Sequence, residues 1–181
     1  RPRLFVISLA LWALLLSGQP PNRAQAGELQ PEATSVTAAV SAGSYHTCIL
    51  RSNGTIGCWG DRTDGQTTPP TGVFVQINSG DTHTCALRDT GSVACWGDNG
   101  LGQASPPAGS FLQVSAGTNH TCGLRSDNTL ACWGDDDPIQ IPPAGSYLQV
   151  STGDFHNCAM RSDSTLACWG ENDEGQASPP T

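Results

Sequence analysis

Lysine is absent from the 181 residues, so all eight cationic side chains are arginine, set against 16 acids for a net charge of −8. A surface this short of cations repels phosphate backbones, which argues against direct nucleic-acid binding. Long hydrophobic runs are also missing. The longest, 13 residues from Leu4 to Leu16, is too short to span a bilayer. The chain holds no Ser-His-Asp order, no nucleophile elbow and no phosphate-cradling glycine loop, so the catalytic classes that depend on them are disfavoured. The reading is non-catalytic, with no cofactor and no metal implied. Tyrosine occurs twice and methionine once, which leaves little exposed aromatic surface for carbohydrate recognition.

What is present begins with an export signal. Arg1-Pro2-Arg3 is basic, the apolar run follows, and Ala24-Gln25-Ala26 is a small-x-small cleavage site. Residues 1–26 therefore read as a signal peptide and 27–35 as a linker. No membrane span is expected after cleavage, and the mature protein is expected to be secreted or extracytoplasmic, at a cell surface or in a periplasm. The mature balance is 16 acids against five arginines, or −11. The first residue is Arg, which is read as an incomplete N-terminus.

The remainder is one sentence written four times. His46, His83, His120 and His156 each open a segment with two cysteines that have nine residues between them, closing on Cys-Trp-Gly. The glycine three residues before each His recurs at intervals of 37, 37 and 36. A period of this size means that one supersecondary unit is stacked, and the units are set at 36–72, 73–109, 110–145 and 146–181. Each has three short apolar stretches rich in β-branched and aromatic residues, so each reads as three antiparallel strands. Gly54, Gly91 and Asn128 suit a left-handed residue closing a three-residue hairpin loop, whereas Ser164 predicts strain there.

Centring that hairpin puts the two cysteines of each unit opposite one another, within disulfide reach. Eight regular cysteines in an exported chain read as a disulfide framework: Cys48–Cys58, Cys85–Cys95, Cys122–Cys132 and Cys158–Cys168. Zinc on His-x-Cys…Cys is the alternative, weakened by the oxidising compartment and the lack of a fourth ligand. After each Trp-Gly an irregular segment reaches a Gln seven residues from the Trp, followed by Pro-Pro, which stops strand pairing before the next unit. Asn53 and Asn119 lie in N-glycosylation patterns, and the first already has a turn role.

Stacked three-stranded units with a Trp at a fixed place predict an all-β protein, a β-propeller fragment of four blades, each with an intra-blade disulfide. The pattern S-A-G-x-x-H-T-C-A-L-R-S-D-G-T-[IV]-x-C-W-G-x-N-x-x-G-Q resembles the regulator-of-chromosome-condensation repeat in a short secreted bacterial form. The resemblance covers residues 36–181. It implies a seven-bladed ring of which these four units are a part, in a superfamily that includes a secreted β-lactamase inhibitor protein with three-stranded blades. Thr37-Ala38-Ala39 departs from the pattern, standing where the other units have an aromatic, an aliphatic and Gln. A closed four-bladed ring is the alternative architecture; the stop at Pro180-Thr181, where a fifth unit's first strand is due, favours a portion of a longer ring.

Charge is sorted by end. The Trp-to-Gln loops and the turns after each repeat glycine carry Asp61, Asp64, Asp81, Asp98, Asp135, Asp136, Asp137, Asp154, Glu171, Asp173 and Glu174, offset by Arg62 alone. The hairpin tips hold Arg51, Arg88, Arg125 and Arg161 against Asp89, Asp127 and Asp163. Calcium is weighed at the acidic loops, but the alternating ligand order is missing, and loop capping is the default role of such acids. Summed over blades, the one-sided field is a candidate surface for a basic protein partner. The expected function is a secreted protein-interaction scaffold. Inhibition of a secreted enzyme is an alternative that needs exposed aromatics such as Tyr45 and Phe155. Guanine-nucleotide exchange, which the family namesake implies, is disfavoured by the signal peptide.

Overall fold

The structure is a computed structural model, and it describes residues 37–135 and 141–180. The expected signal peptide and linker, together with Asp136 and Asp137, lie outside the described residues. Among the described residues twelve strands form four separate three-stranded antiparallel sheets, one per repeat. The first blade is β1 (Ala39–Ala42), β2 (His46–Leu50) and β3 (Ile56–Gly60). The second is β4 (Phe74–Ser79), β5 (His83–Arg88) and β6 (Val93–Gly97). The third is β7 (Phe111–Ala116), β8 (His120–Arg125) and β9 (Leu130–Gly134). The fourth is β10 (Tyr147–Thr152), β11 (His156–Arg161) and β12 (Leu166–Gly170). No helix among the described residues is long and apolar enough to cross a membrane.

The hairpins follow from their loop residues. In the first blade Arg51 N–H donates to Thr55 O (2.9 Å) and Gly54 N–H to Arg51 O (2.8 Å), which leaves a three-residue loop. Its last residue must be left-handed, and φ is 79° at Gly54 and 84° at Gly91. Asn128 (64°) and Ser164 (68°) adopt the same region with a side chain attached, so the expected strain at Ser164 has a backbone basis. This loop sets the register: Cys48 stands opposite Cys58, and the same holds in the other blades. All four disulfides form, with Cα separations of 4.0–4.1 Å, the close approach of a non-hydrogen-bonded pair.

The first strands of successive sheets touch one another, so they lie innermost in an arc of propeller blades. Each seam between blades buries a small apolar core. Cys48 and Leu50 pack on Phe74, Ile77, Ala86 and Trp96; Cys85 and Leu87 on Phe111, Val114 and Trp133; Cys122 and Leu124 on Tyr147, Val150, Ala159 and Trp169. A three-stranded sheet cannot bury a core alone, so each blade offers its disulfide face to the aromatic face of the next.

One local feature escaped the strand pattern. A bulge between Phe74 and Gln76 recurs at Phe111/Gln113 and Tyr147/Gln149. In the second and third blades the Gln beside the bulge holds the neighbouring blade: Gln76 Nε2–H donates to Val114 O (3.0 Å) while its Oε1 accepts from Val114 N–H (3.0 Å). Gln113 treats Val150 in the same way.

Candidate functional site

The repeat histidines stitch blade to blade. Nε2 of His46 lies 2.7 Å from Thr84 Oγ1, that of His83 2.8 Å from Thr121 Oγ1, and that of His120 2.9 Å from Asn157 Oδ1. The Thr121 hydroxyl donates its one proton to Gln103 O (3.1 Å), so it accepts from His83, whose Nε2 carries the hydrogen. Nδ1 of His46 and of His83 is buried without a partner. Burial holds His46 and His120 below the usual histidine pKa and pushes His83, which has no exposed surface, down to about 4. These are neutral, structural imidazoles. The repeat glycine makes room for them: a Cβ on Gly80 would sit 2.2 Å from Gly117 O and 2.6 Å from the His83 ring.

All eight cysteines are spent in disulfides, so a thiolate zinc site has no ligands. Among the described residues no group of three or more His, Cys, Asp or Glu is placed to hold a metal ion.

The fixed Trp-to-Gln spacing has a structural role that the residues alone did not reveal. Trp96 Nε1–H donates to Gln66 O (2.8 Å) and Trp133 Nε1–H to Gln103 O (3.0 Å), each reaching back to the preceding blade's loop. The Gln side chain in turn closes its own loop. Gln66 takes Asp64 N–H on Oε1 and donates Nε2–H to Asp61, and buried Gln103 does the same with Leu101 and Asp98. Asp61 and Asp98 are therefore loop caps. The Thr63 hydroxyl is the main reason Asp61 stays below the ordinary aspartate pKa.

The remaining acids among the described residues are placed by topology at the same end of the blades. Asp64, Asp154, Glu171, Asp173 and Glu174 are exposed, and Asp81 and Asp135 half-buried. Asp81 and Asp154 join Ser44 and Thr118 around a polar mouth of about 340 Å³ next to the repeat glycines. Large apolar side chains stand at this end too: Tyr45 is 75% exposed, Leu101 47% and Phe155 44%. At the hairpin end three of the four arginines are occupied. Arg88, Arg125 and Arg161 lie over the Phe74, Phe111 and Tyr147 rings at 4.7–5.3 Å and donate to the carbonyls of Thr71, Ala108 and Ala144. Asp127 and Asp163 are held below the usual carboxylate range first by the hydroxyls of Thr129 and Thr165. Asn53 is exposed, its Oδ1 accepting from Thr55 N–H (3.1 Å) and Oγ1–H (2.8 Å). Asn119 is half-buried.

The fold and the repeat both have relatives. The ectodomain of the Physcomitrella patens receptor kinase CR4 is 31% identical with a TM-score of 0.63, over 73% of this chain and 38% of that one. The CRINKLY ectodomain of the Arabidopsis thaliana receptor kinase ACR4 is 28% identical with a TM-score of 0.63, over 74% of this chain and 49% of that one. Prp20p of Saccharomyces cerevisiae shares the fold at 17% identity and a TM-score of 0.65, over 79% of this chain and 47% of that one. The chain thus spans less than half the length of each of these proteins. No curated protein matches it. The model of the regulator of chromosome condensation (RCC1) repeat matches residues 38–66, 74–103, 111–137 and 148–176. With one such match in each disulfide-clamped blade, the chain belongs to the RCC1 repeat family.

Proposed function

We propose that this chain is a non-catalytic protein-interaction scaffold of an extracytoplasmic compartment, which engages a basic partner through the acidic end of its blades. The observation that carries the reading is the company of Tyr45, Leu101 and Phe155 with unneutralised acids at one end. Exposed apolar side chains among like charges are poor solubilisers but good interface anchors. Four disulfides are the mark of an oxidising compartment. Two relatives above a quarter identity are receptor ectodomains, and the structural report on Prp20p describes its binding to Gsp1p and histones. At 17% identity that protein supports the fold alone, and an oxidising compartment argues against exchange on an intracellular GTPase.

The test is binding of the chain to an immobilised panel of extracellular proteins running from basic to acidic. Basic members are expected to bind, with affinity that falls as salt rises. Asp81→Lys with Asp154→Lys is expected to weaken them at least tenfold, and Tyr45→Ala to speed dissociation. Hits indifferent to salt and to all three substitutions would sink the proposal.

A further inference from the structure

The imidazoles at the seams form a row. His46, His83 and His120 hold the same place at the three internal seams, and each reaches from its own blade to a side chain of the next: Thr84, Thr121 and Asn157. His83, with a complete blade on either side, is the most enclosed. It has no exposed surface, its Nε2–H is given to Thr121, and its Nδ1 meets neither donor nor acceptor. The ring lies against the repeat glycine: a Cβ on Gly80 would stand 2.9 Å from Nδ1 and would collide with Gly117 O of the next blade. A neutral ring tolerates this enclosure at the cost of one unused lone pair. A protonated ring would bury a charge and an N–H with no acceptor, which is far more costly.

The charges around His83 do not compensate for that. Asp81, in the turn before the ring, and Asp98, in the loop after β6, favour the protonated form, while His120 of the following blade and His46 of the preceding one oppose it. Neither carboxylate bonds the ring, and Asp98 is spent on Gly100 N–H and Gln103 Nε2–H (2.9 Å each). Burial outweighs both acids and lowers the pKa from 6.5 to about 4. His46 and His120 are lowered by the same cause. A parted seam returns the ring to water, where it takes its proton near the ordinary histidine value. The advantage that His83 gives the closed seam is therefore complete above pH 6.5 and lost as the pH falls towards 4.

Seam and blade are held by different bonds. Within the second blade β5 and β6 are joined by Cys85–Cys95 and by Arg88 N–H to Ser92 O (2.8 Å). Between the second and third blades the polar ties are side-chain hydrogen bonds: Gln76 with Val114, Asn78 Oδ1 with Ala116 N–H (2.7 Å), and His83 with Thr121. We propose that the row of seam imidazoles is an acid-sensitive latch: mild acid raises the population of a state in which neighbouring blades part while each hairpin keeps its register. The polar mouth beside the repeat glycines draws its lining from all four blades, so parting them takes it apart. The opening is a local fluctuation of the native chain, since a blade on its own has no core to bury.

Amide hydrogen exchange of the unreduced full chain at pH 7 and pH 5, corrected for the intrinsic exchange rate, tests this. The amides of Val114 and Ala116, held by the preceding blade, report the seam. The amide of Arg125, which closes its own hairpin on Thr129 O (2.8 Å), reports the blade. Protection at Val114 and Ala116 is expected to fall about tenfold or more between the two pH values, and at Arg125 by less than about twofold. His83→Gln keeps an N–H for Thr121 but takes no proton, and is expected to hold the fall at Val114 under about threefold. Where that variant does not fold, ring NMR of the wild type decides: a His83 imidazole that takes its proton while Val114 stays protected overturns the proposal. So does protection at Val114 that stays level with pH, that falls no more than at Arg125, or that falls as steeply in His83→Gln.

Discussion

His83 and Thr121 stand 38 residues apart in sequence and on different blades, yet Nε2 and Oγ1 meet at 2.8 Å with neither side chain exposed. The Thr121 hydroxyl passes its own proton to Gln103 O, which also receives the Trp133 indole N–H. One seam is thus tied by a relay running from imidazole to hydroxyl to carbonyl to indole.

Thr121→Val keeps the shape of the side chain and removes the hydroxyl, leaving a buried imidazole N–H with no acceptor. The expected loss is about 1–3 kcal/mol of unfolding free energy, measured as a shift of the urea midpoint at constant slope. The same change at Thr129, which is exposed and serves only a hairpin turn, is expected to cost less.

The buried histidines make stability depend on pH with a definite sign. Burial lowers the folded-state pKa of His83 from 6.5 to about 4, so between those values the unfolded chain binds more protons. Its contribution is complete above pH 6.5 and is lost as the pH falls towards 4, amounting to about 3 kcal/mol. His46 and His120 shift in the same direction. The stability that the lowered carboxylates Asp61, Asp127 and Asp163 contribute is complete above the ordinary aspartate value of 3.8 and is lost only as the pH falls below it. Urea midpoints at pH 7.5 and 4.5 should differ, and His83→Gln should flatten the difference.

Cys48, Cys85 and Cys122 have no exposed surface, so titration with dithiothreitol should leave their disulfides intact until the blades open, read by alkylation and peptide mass. Replacing Cys85 and Cys95 together by Ser opens a short closed loop, at an expected cost of about 3 kcal/mol.

Ser164 has φ of 68°, a conformation that an L side chain opposes. Ser164→Gly removes that opposition and is expected to raise stability by about 1 kcal/mol. Thermal unfolding checks it, and Gly54→Ser should show the reverse.

The strand order, the hairpin register and all four disulfides were legible because they are local. A hairpin loop of known length places Cys48 opposite Cys58 whatever surrounds it, and four copies reduce the ambiguity of any one. Asp61 and Asp98 as loop caps were legible as the default role of short acids near turns. The bulge at Val75 was not, since nothing in Phe-Val-Gln-Ile distinguishes a regular strand from one with an extra residue. The part played by Gln66 and Gln103 carried a signal in its constant distance from Trp, but that distance does not say that their carbonyls meet the indole of another blade.

The amino-acid order alone decided the unit: its three strands, its clamp and its left-handed turn residues. These depend on contacts within about forty residues, where spacing and turn chemistry leave few choices. Only the tertiary structure decided how units meet. Which face of a blade receives the next, why His83 is neutral and why Gly80 bears no side chain all follow from packing across seams. Side chains from different repeats converge there, and a repeat read singly contains only one side of the contact.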